Sequence, residues 1–448
     1  MKGLFSTLLP FVPDSVGAIA AFAESPALVI VNDMNGTLVT FHQRVGAPEG
    51  SPAVLRSAKD VRELAYVLGR DEDFLRNYRK IVERTRAEAA ADAGGAGGAG
   101  GAGGNRVAAG VSGAAPAPLG GIEHVVLVPG PVASTVGVDG ARLAHLLEGE
   151  LHLPVLALAS TGSGDHEQGL SEAMLSAFGL VDGTPADPQE GALGLLGVNL
   201  IDHPRAASRD AFSDLLASMA GGRIVSRWGT GGTLERLRAA ARAQRNIVAS
   251  TSGLALARAM ERAWGVPFVR ADELPLDGCA AALPLRAHTA EEESAGAGAQ
   301  RVLLVGEQIG ANLLRRALVE RAGLRREQAV VGWFFGMDAA HSDAGDVQLG
   351  SERDLAALVR DGGFDAVFAD PALRACLPAE TRLFPLRNLS VSDGPAAGTP
   401  RARELRTLAS RGDPRPWREG EALMAEPAAW TPEWFCAIDA FLHGVGRP

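Results

Sequence analysis

Strand-like and helix-like segments alternate over most of the 448 residues of this chain. Short apolar runs at 125–128, 154–158 and 246–249 are each followed by a segment whose apolar residues have helical spacing. Strands that alternate with helices in this way pair in parallel within one sheet. The alternation therefore predicts α/β architecture with Rossmann-like, doubly wound parallel sheets. Because the chain is too long for one hydrophobic core, we expect two or three such domains.

Composition and pattern divide the chain into six segments. They are an N-terminal α/β domain (1–90), a Gly/Ala-rich linker (91–121), a middle Rossmann-like domain (122–285), an acidic linker (286–300), a C-terminal Rossmann-like domain (301–400) and a helical tail (401–448). The first linker is predicted to lack fixed structure, because Gly-Gly-Ala repeats bury almost no apolar surface. The tail contains Trp417, Trp430 and Trp434, which we expect to pack against a domain or a partner.

Charge and cysteine content exclude several classes of protein. A net charge of −10 argues against a nucleic-acid-binding surface. The cysteines, Cys279, Cys376 and Cys436, are isolated from one another, which suggests a reducing compartment and no disulfide framework. Residues 1–13 make a poor signal peptide and are too short to span a membrane. We therefore expect a cytoplasmic location and no membrane partner.

The loop after the first predicted strand is a candidate binding site. The apolar run 27–31 leads into Asn32, Asp33, Asn35, Gly36 and Thr37, and ligands in open α/β sheets bind at such carboxyl ends of strands. The alternative is that Asp33 and Asn35 only bond to the backbone of their own turn.

Other strand-end loops offer weaker signals. Residues 249–253 include Ser250, Thr251 and Ser252, whose hydroxyls are predicted to cap the following helix, with a hydroxyl-lined substrate cavity as the alternative. The Gly-rich loop at 161–166 suits contact with a phosphate or partner, or is a plain βα loop. The loops at 229–233 and 305–311 resemble phosphate and dinucleotide loops only in part. Because no G-x-x-x-x-G-K-[ST] motif is present, we expect no ATP hydrolysis by this chain.

The order of these segments resembles the nitrogenase component 1 type oxidoreductase family. The similar stretches are the N-terminal run 9–17 with 27–37, Val128-Pro129-Gly130 with 137–140, 153–162 with Gly169 and Ala173, 197–201 with Asp202 where glycine is usual, 246–248 with 265–268, 305–308, and 363–370. The resemblance implies three Rossmann-like domains, in agreement with the strand–helix alternation.

The resemblance also implies a cofactor that this chain is poorly equipped to hold. The family typically has a cysteine, a ligand of an iron–sulfur cluster, where this chain has Thr37. A protochlorophyllide-reductase-like subunit offers an Asp instead, and Asp33 is the corresponding candidate for a fourth cluster ligand. Relatives that hold a metal cofactor place a cysteine in the loop where this chain has Ser250 and Ser252. The resemblance thus points to Asp33, Gly36, Thr37, Ser250 and Ser252 as cofactor-binding positions.

The first functional hypothesis is a nitrogenase-like component 1 subunit of an ATP-dependent, iron–sulfur oxidoreductase. A separate P-loop iron protein and a Cys-bearing partner subunit would complete it, with any cluster shared with that partner and none expected in the isolated chain. The second hypothesis is a non-catalytic scaffold or cofactor-assembly subunit of the same fold. A third is a GT-B-like sugar enzyme, against which the start Pro10–Asp14 argues.

Overall fold

The computed structural model describes residues 11–32, 36–48, 50–58, 71–95, 119–135, 137–181, 183–277, 279, 282–286, 300–392 and 427–443. The predicted linkers at 91–121 and 286–300 therefore lie largely outside the described residues, although one helix continues as far as Gly95. None of the described helices is long and apolar enough to span a membrane.

The first sheet has the strand order β2-β1-β3-β4. Its strands are β1 (Ala27–Asn32), β2 (Val54–Ser57), β3 (His124–Pro129) and β4 (Val155–Ala157). The helices of this part are α1 (Asp14–Ala20), α2 (Thr37–Arg44), α3 (Asp71–Gly95), α4 (Pro131–Thr135), α5 (Gly140–Leu151) and α6 (His166–Phe178). Because β3 pairs with β1 along its whole length, the predicted boundary after residue 121 differs from the structure and would divide one sheet.

The second sheet has the order β6-β5-β7-β8. Its strands are β5 (Ala192–Leu196), β6 (Arg223–Trp228), β7 (Arg245–Val248) and β8 (Phe268–Arg270), and its helices are α7 (Ala206–Ala220), α8 (Leu234–Arg238) and α9 (Leu254–Trp264). The segment 197–201 is the loop after β5. Gly197 adopts a φ of 93°, and the Asn199 side chain accepts hydrogen bonds from the backbone of Ile201 and Asp202, which ends the strand.

The third sheet has the order β11-β10-β9-β12-β13. Its strands are β9 (Val302–Val305), β10 (Ala329–Trp333), β11 (Val347–Gln348), β12 (Ala366–Ala369) and β13 (Arg382–Pro385), with helices α10 (Gln308–Glu320) and α11 (Glu352–Gly362). Helix α12 (Pro432–Leu442) covers this part, and Trp434 packs edge-on against Phe368 of β12 at 5.9 Å. The expected packing of the tail against a domain is thereby confirmed for Trp434, whereas Trp417 lies outside the described residues.

Short 3₁₀ helices complete the described chain. They are Ala239–Arg242, Thr251–Gly253, Ala271–Glu273, Arg326–Gln328, Ala339–His341 and Pro371–Cys376.

All the pairings between these strands are parallel, so the predicted α/β fold class with three parallel sheets is confirmed. Strands such as β1, β5 and β12 are buried on both faces, which explains their continuous apolar runs. In each sheet the strand order reverses at one place, between β1 and β3, between β5 and β7, and between β9 and β12. Ligand sites in such sheets lie at the carboxyl ends of the strands beside these reversals.

Candidate functional site

A cluster of buried carboxylates lies where loops from the three sheets meet. Glu167 belongs to the first turn of α6, Asp202 to the loop after β5, and Glu307 to the turn after β9. Each of these residues is only 7% exposed. We call Glu167, Asp202 and Glu307 the acid cluster.

Glu167 connects the first sheet to the other two. Its Oε1 accepts a hydrogen bond of 2.7 Å from the indole Nε1 of Trp333, at the end of β10. Its Oε2 accepts a hydrogen bond of 2.9 Å from the Thr251 hydroxyl, in the turn after β7. Burial, together with the charges of Glu307 and Asp202, raises the pKa of Glu167 well above its usual range.

Glu307 caps helix α10 and also reaches the second sheet. Its carboxylate accepts hydrogen bonds from the backbone N–H groups of Ile309, Gly310 and Thr251 at 3.1, 2.9 and 2.8 Å. Burial and the charge of Asp202 raise the pKa of Glu307 to about 7, although the three backbone donors oppose the rise. Glu307 consequently exchanges its proton close to neutral pH.

Asp202 remains the ionised member of the cluster. It accepts hydrogen bonds from the side-chain amides of Asn199, at 2.6 Å, and Asn388, at 2.8 Å. Its Oδ1 lies 3.6 Å from Nε2 of the fully buried His166. Burial opposes ionisation, but the interaction with His166 and the hydrogen bond from Asn199 outweigh it and lower the pKa of Asp202.

His203 provides no positive charge to the cluster. Burial lowers its pKa to about 4, so the imidazole is neutral near pH 7. Its ring lies 4.5 Å from that of Phe212. Hydrogen bonds of the acid cluster join loops from all three sheets. Glu307, with a pKa of about 7, can gain or lose a proton near neutral pH.

Ser250 and Ser252 connect the ends of β5 and β7. Ser250 donates a hydrogen bond of 2.8 Å to the carbonyl of Gly197, and the two serine hydroxyls lie 2.7 Å apart. Neither hydroxyl caps a helix, so that prediction is wrong. Ser250 and Ser252, the proposed cofactor-binding positions, flank Thr251. Thr251 in turn bonds to Glu167 and Glu307 of the acid cluster.

Two of the proposed first-domain positions lie at the start of α2. Thr37 is buried at the start of α2, and Gly36 is exposed just before it. Asp33, the proposed cluster ligand, lies outside the described residues. The preceding Asn32 is buried, and its side-chain amide donates to the hydroxyl of Tyr78 on α3.

Two glycine-rich loops hold internal carboxylates. Asp14 accepts hydrogen bonds from the N–H groups of Thr161, at 2.9 Å, and Gly162, at 2.7 Å. Glu307 does the same at the start of α10. A carboxylate thus occupies the donors that a phosphate would need at both loops. At the third glycine-rich loop, Thr233 caps α8 as predicted, with a bond of 3.2 Å from the Arg236 N–H.

The chain's own thiols do not fit an iron–sulfur cluster, which requires thiolate ligands close together. Cys279 is buried and donates to the Leu276 carbonyl at 2.8 Å, and burial raises its pKa. Burial also raises the pKa of Cys376, to about 11, and Cys436 is exposed on α12. Within the described ranges, no three His, Cys, Asp or Glu side chains are grouped as metal ligands.

Comparison with known proteins supports the resemblance seen in the sequence. Residues 118–277 match the profile of the family described as Nitrogenase component 1 type Oxidoreductase. The family resemblance is confirmed. The solved structure "Nitrogenase Cp1 at pH 5" superimposes with a TM-score of 0.55 at 13% identity, over 89% of this chain and 87% of that chain. For "Nitrogenase Cp1 at pH 6.5" the TM-score is 0.56 at 12% identity, over 91% and 93%. No curated protein matches this chain significantly in sequence.

Sequence reasoning missed most of the acid cluster. Asp202 was visible as a departure from the glycine usual in this family, and Glu307 follows a predicted strand. Glu167 gave no signal of its own, because it stands among the polar residues of a loop-to-helix transition. The contacts of Glu167 with Trp333 and Thr251 depend on the arrangement of three sheets, which no local pattern encodes.

Proposed function

We propose that this chain is a nitrogenase-like component 1 subunit of an ATP-dependent iron–sulfur oxidoreductase. In this proposal a Cys-bearing partner subunit brings the thiolates, and a separate P-loop iron protein supplies electrons. The family match and the fold support the coarse assignment, and they favour it over a GT-B-like sugar enzyme. The division of labour between two subunits follows from the three dispersed thiols of this chain.

One surface observation carries the partnership. Among the described residues, the large hydrophobic side chains that are exposed are Val39 (41%), Val132 (38%), Leu146 (38%) and Leu175 (42%). Val39 lies in the first turn of α2, directly after the exposed Gly36, and Val132 lies in α4.

Val39 and Val132 share one edge of the first sheet. Helix α2 follows β1 and helix α4 follows β3, and these two strands are parallel neighbours. Their ends are joined by a hydrogen bond of 3.0 Å from the Gly130 N–H to the Asn32 carbonyl. We call Gly36, Val39 and Val132 the strand-end patch. Exposed apolar side chains beside a strand-end turn suit contact with a second subunit.

The acid cluster favours the second hypothesis, a scaffold or assembly subunit without catalysis, because two of its acids bond to a residue of the same chain. Thr251 bonds to both Glu167 and Glu307, so protein groups satisfy one another where relatives place a cysteine loop. Under this alternative the chain still docks through the strand-end patch, but the complex is inactive as a reductase.

The docking test uses the four exposed hydrophobic positions as two matched pairs. The chain is co-expressed anaerobically with a Cys-bearing component 1 homologue, and complex formation is measured by size-exclusion chromatography. We expect Val39→Glu and Val132→Glu each to weaken the complex at least about tenfold, because a charge is then desolvated at the interface. The controls, Leu146→Glu and Leu175→Glu on α5 and α6, should leave the complex intact.

The same preparation separates the two functional hypotheses. With the iron protein, ATP and a reductant, the reductase proposal expects ATP-dependent electron transfer that the Val39→Glu variant loses. A stable complex without any such transfer supports the scaffold instead. Equal effects of all four substitutions, or of none, would contradict docking through the strand-end patch.

A further inference from the structure

A cavity of about 750 Å³ lies beside the start of α1. It is bounded by the N-terminal segment 11–14, the loop 159–165, the first turns of α6 and Phe335 after β10. An antiparallel bridge between Pro13 and Asp165 and a hydrogen bond of 2.9 Å from the Asp14 N–H to Gly164 hold its two walls together. A cavity of this volume accommodates a small organic molecule.

The described residues that line the cavity include carboxylates but no lysine, arginine or histidine. Asp14 is occupied by backbone donors of the loop, and Asp165 caps α6 with a bond of 3.0 Å from the Gln168 N–H. Glu172 accepts one hydrogen bond, from the Ala159 N–H, among the described residues. Glu172 is therefore the carboxylate with the greatest remaining capacity to bind a ligand.

None of the described residues that line the cavity offers Glu172 a positive charge. Burial raises the pKa of its carboxyl, the hydrogen bond from Ala159 opposes the rise, and the charge of Asp14 adds to it. A cation near Glu172 would offset both unfavourable contributions, since an opposite charge favours the ionised form.

Two further features of the lining point to a ligand. The Ser160 side chain is only 2% exposed, and its Oγ has no hydrogen-bond partner among the described residues, although the residue borders the cavity. Unsatisfied buried hydroxyls are unusual in folded proteins. Phe11 and Phe335 provide an aromatic wall, with ring centroids 4.9 Å apart and planes at 62°. Aromatic faces attract organic cations.

We propose that this cavity binds a small organic cation with an apolar or aromatic portion, such as an arylalkylamine, with its ammonium group at Glu172 and its apolar portion against Phe11 and Phe335. This site does not depend on the strand-end patch, and its test requires neither a partner subunit nor a cluster.

Isothermal titration of the isolated full chain with three probes of one shape tests the charge preference. The probes are phenethylamine, neutral 2-phenylethanol and anionic 3-phenylpropionate. We expect phenethylamine to bind at least about tenfold more tightly than 2-phenylethanol, the scale of one charge-assisted hydrogen bond, and 3-phenylpropionate not to bind. Equal affinity for the amine and the alcohol, or no binding of the amine, would overturn the proposal.

Variants locate the site. Glu172→Gln keeps an acceptor for the Ala159 N–H but loses the charge, so it should abolish the preference for the amine while its thermal unfolding stays close to wild type. Glu148→Gln, the same change on the exposed face of α5, should bind phenethylamine as wild type does. Phe11→Leu should weaken phenethylamine and 2-phenylethanol by similar factors. An unaltered preference in Glu172→Gln would show that any amine binding lies elsewhere.

Discussion

At the scale of single residues, Thr251 connects two members of the acid cluster. Its N–H donates to Glu307 at 2.8 Å and its hydroxyl donates to Glu167 at 2.9 Å. One residue of the second sheet thereby bonds to an acid that follows the first sheet and to an acid that follows the third. Burial raises the pKa of both acids.

Glu307 should make stability depend on pH in a direction opposite to most acids. Its pKa rises from 4.5 when unfolded to about 7 when folded. The folded chain then binds more protons than the unfolded chain, so this contribution is complete below about pH 4.5 and is lost as the pH rises through 7. Between these values the loss is on the order of 3 kcal/mol.

The Glu307→Gln variant tests this dependence. The amide does not titrate. As the pH rises from about 5 to 8, the unfolding free energy of wild type should therefore fall relative to that of the variant. Urea unfolding at several pH values measures that difference, with Glu148→Gln as the exposed control. A difference that stays constant with pH would show that Glu307 is ionised throughout the range.

The candidate residues show which parts of the site can be predicted from the sequence. Ser250 and Ser252 were selected because a cysteine is usual in that loop, and they lie beside the acid cluster through Thr251. Their partner, the Gly197 carbonyl, is 53 residues away in sequence, so local pattern could not supply it. Glu167, whose indole partner Trp333 is 166 residues away, escaped prediction for the same reason.

At the scale of elements, helices α1 and α6 cross with direct backbone contact. A Cβ at Gly169 would lie 1.8 Å from the Asp14 carbonyl oxygen, and one at Gly17 would lie 2.2 Å from the His166 carbonyl oxygen. The two glycines thus allow the crossing from both sides. This crossing places Glu167 and His166 against the other two sheets and also forms one wall of the cavity.

Alanine at either glycine should disrupt the crossing. Gly169→Ala and Gly17→Ala force backbone atoms apart, and overpacking of this kind costs about 1–3 kcal/mol or more. Gly149→Ala on α5 is the matched control, since its Cβ meets nothing within 4 Å, and alanine stabilises a helix interior by about 1 kcal/mol over glycine.

Urea midpoints of the three variants check this account. The first two should fall and the third should stay or rise. A Gly169→Ala chain as stable as wild type would mean that the helices do not cross so closely. Gly169 matched the family pattern in the sequence, but the reason for glycine there is the carbonyl of Asp14, which only the packed helices bring near.

At the scale of the whole molecule, the sequence predicted the fold class because central parallel strands such as β1, β5 and β12 are short, largely apolar runs. It did not predict which strands share a sheet. The long segment between β2 and β3 suggested a boundary, yet β3 returns to pair with β1. Sheet membership depends on contacts distant in sequence, which composition does not reveal.

Glu167 and Glu307 of the acid cluster bond to Thr251 of the same chain, and the three cysteines lie apart from one another. Under the proposed function, this chain contributes a surface and a fold, and the partner subunit contributes thiolates.

Anaerobic iron and acid-labile sulfide analysis tests this central claim most directly. The isolated chain and its complex with a Cys-bearing component 1 homologue are purified side by side and analysed per mole of chain. The account predicts no stoichiometric cluster in the isolated chain and a complete cluster in the complex, lost together with the complex in the Val39→Glu variant. A stoichiometric cluster in the isolated chain would contradict it.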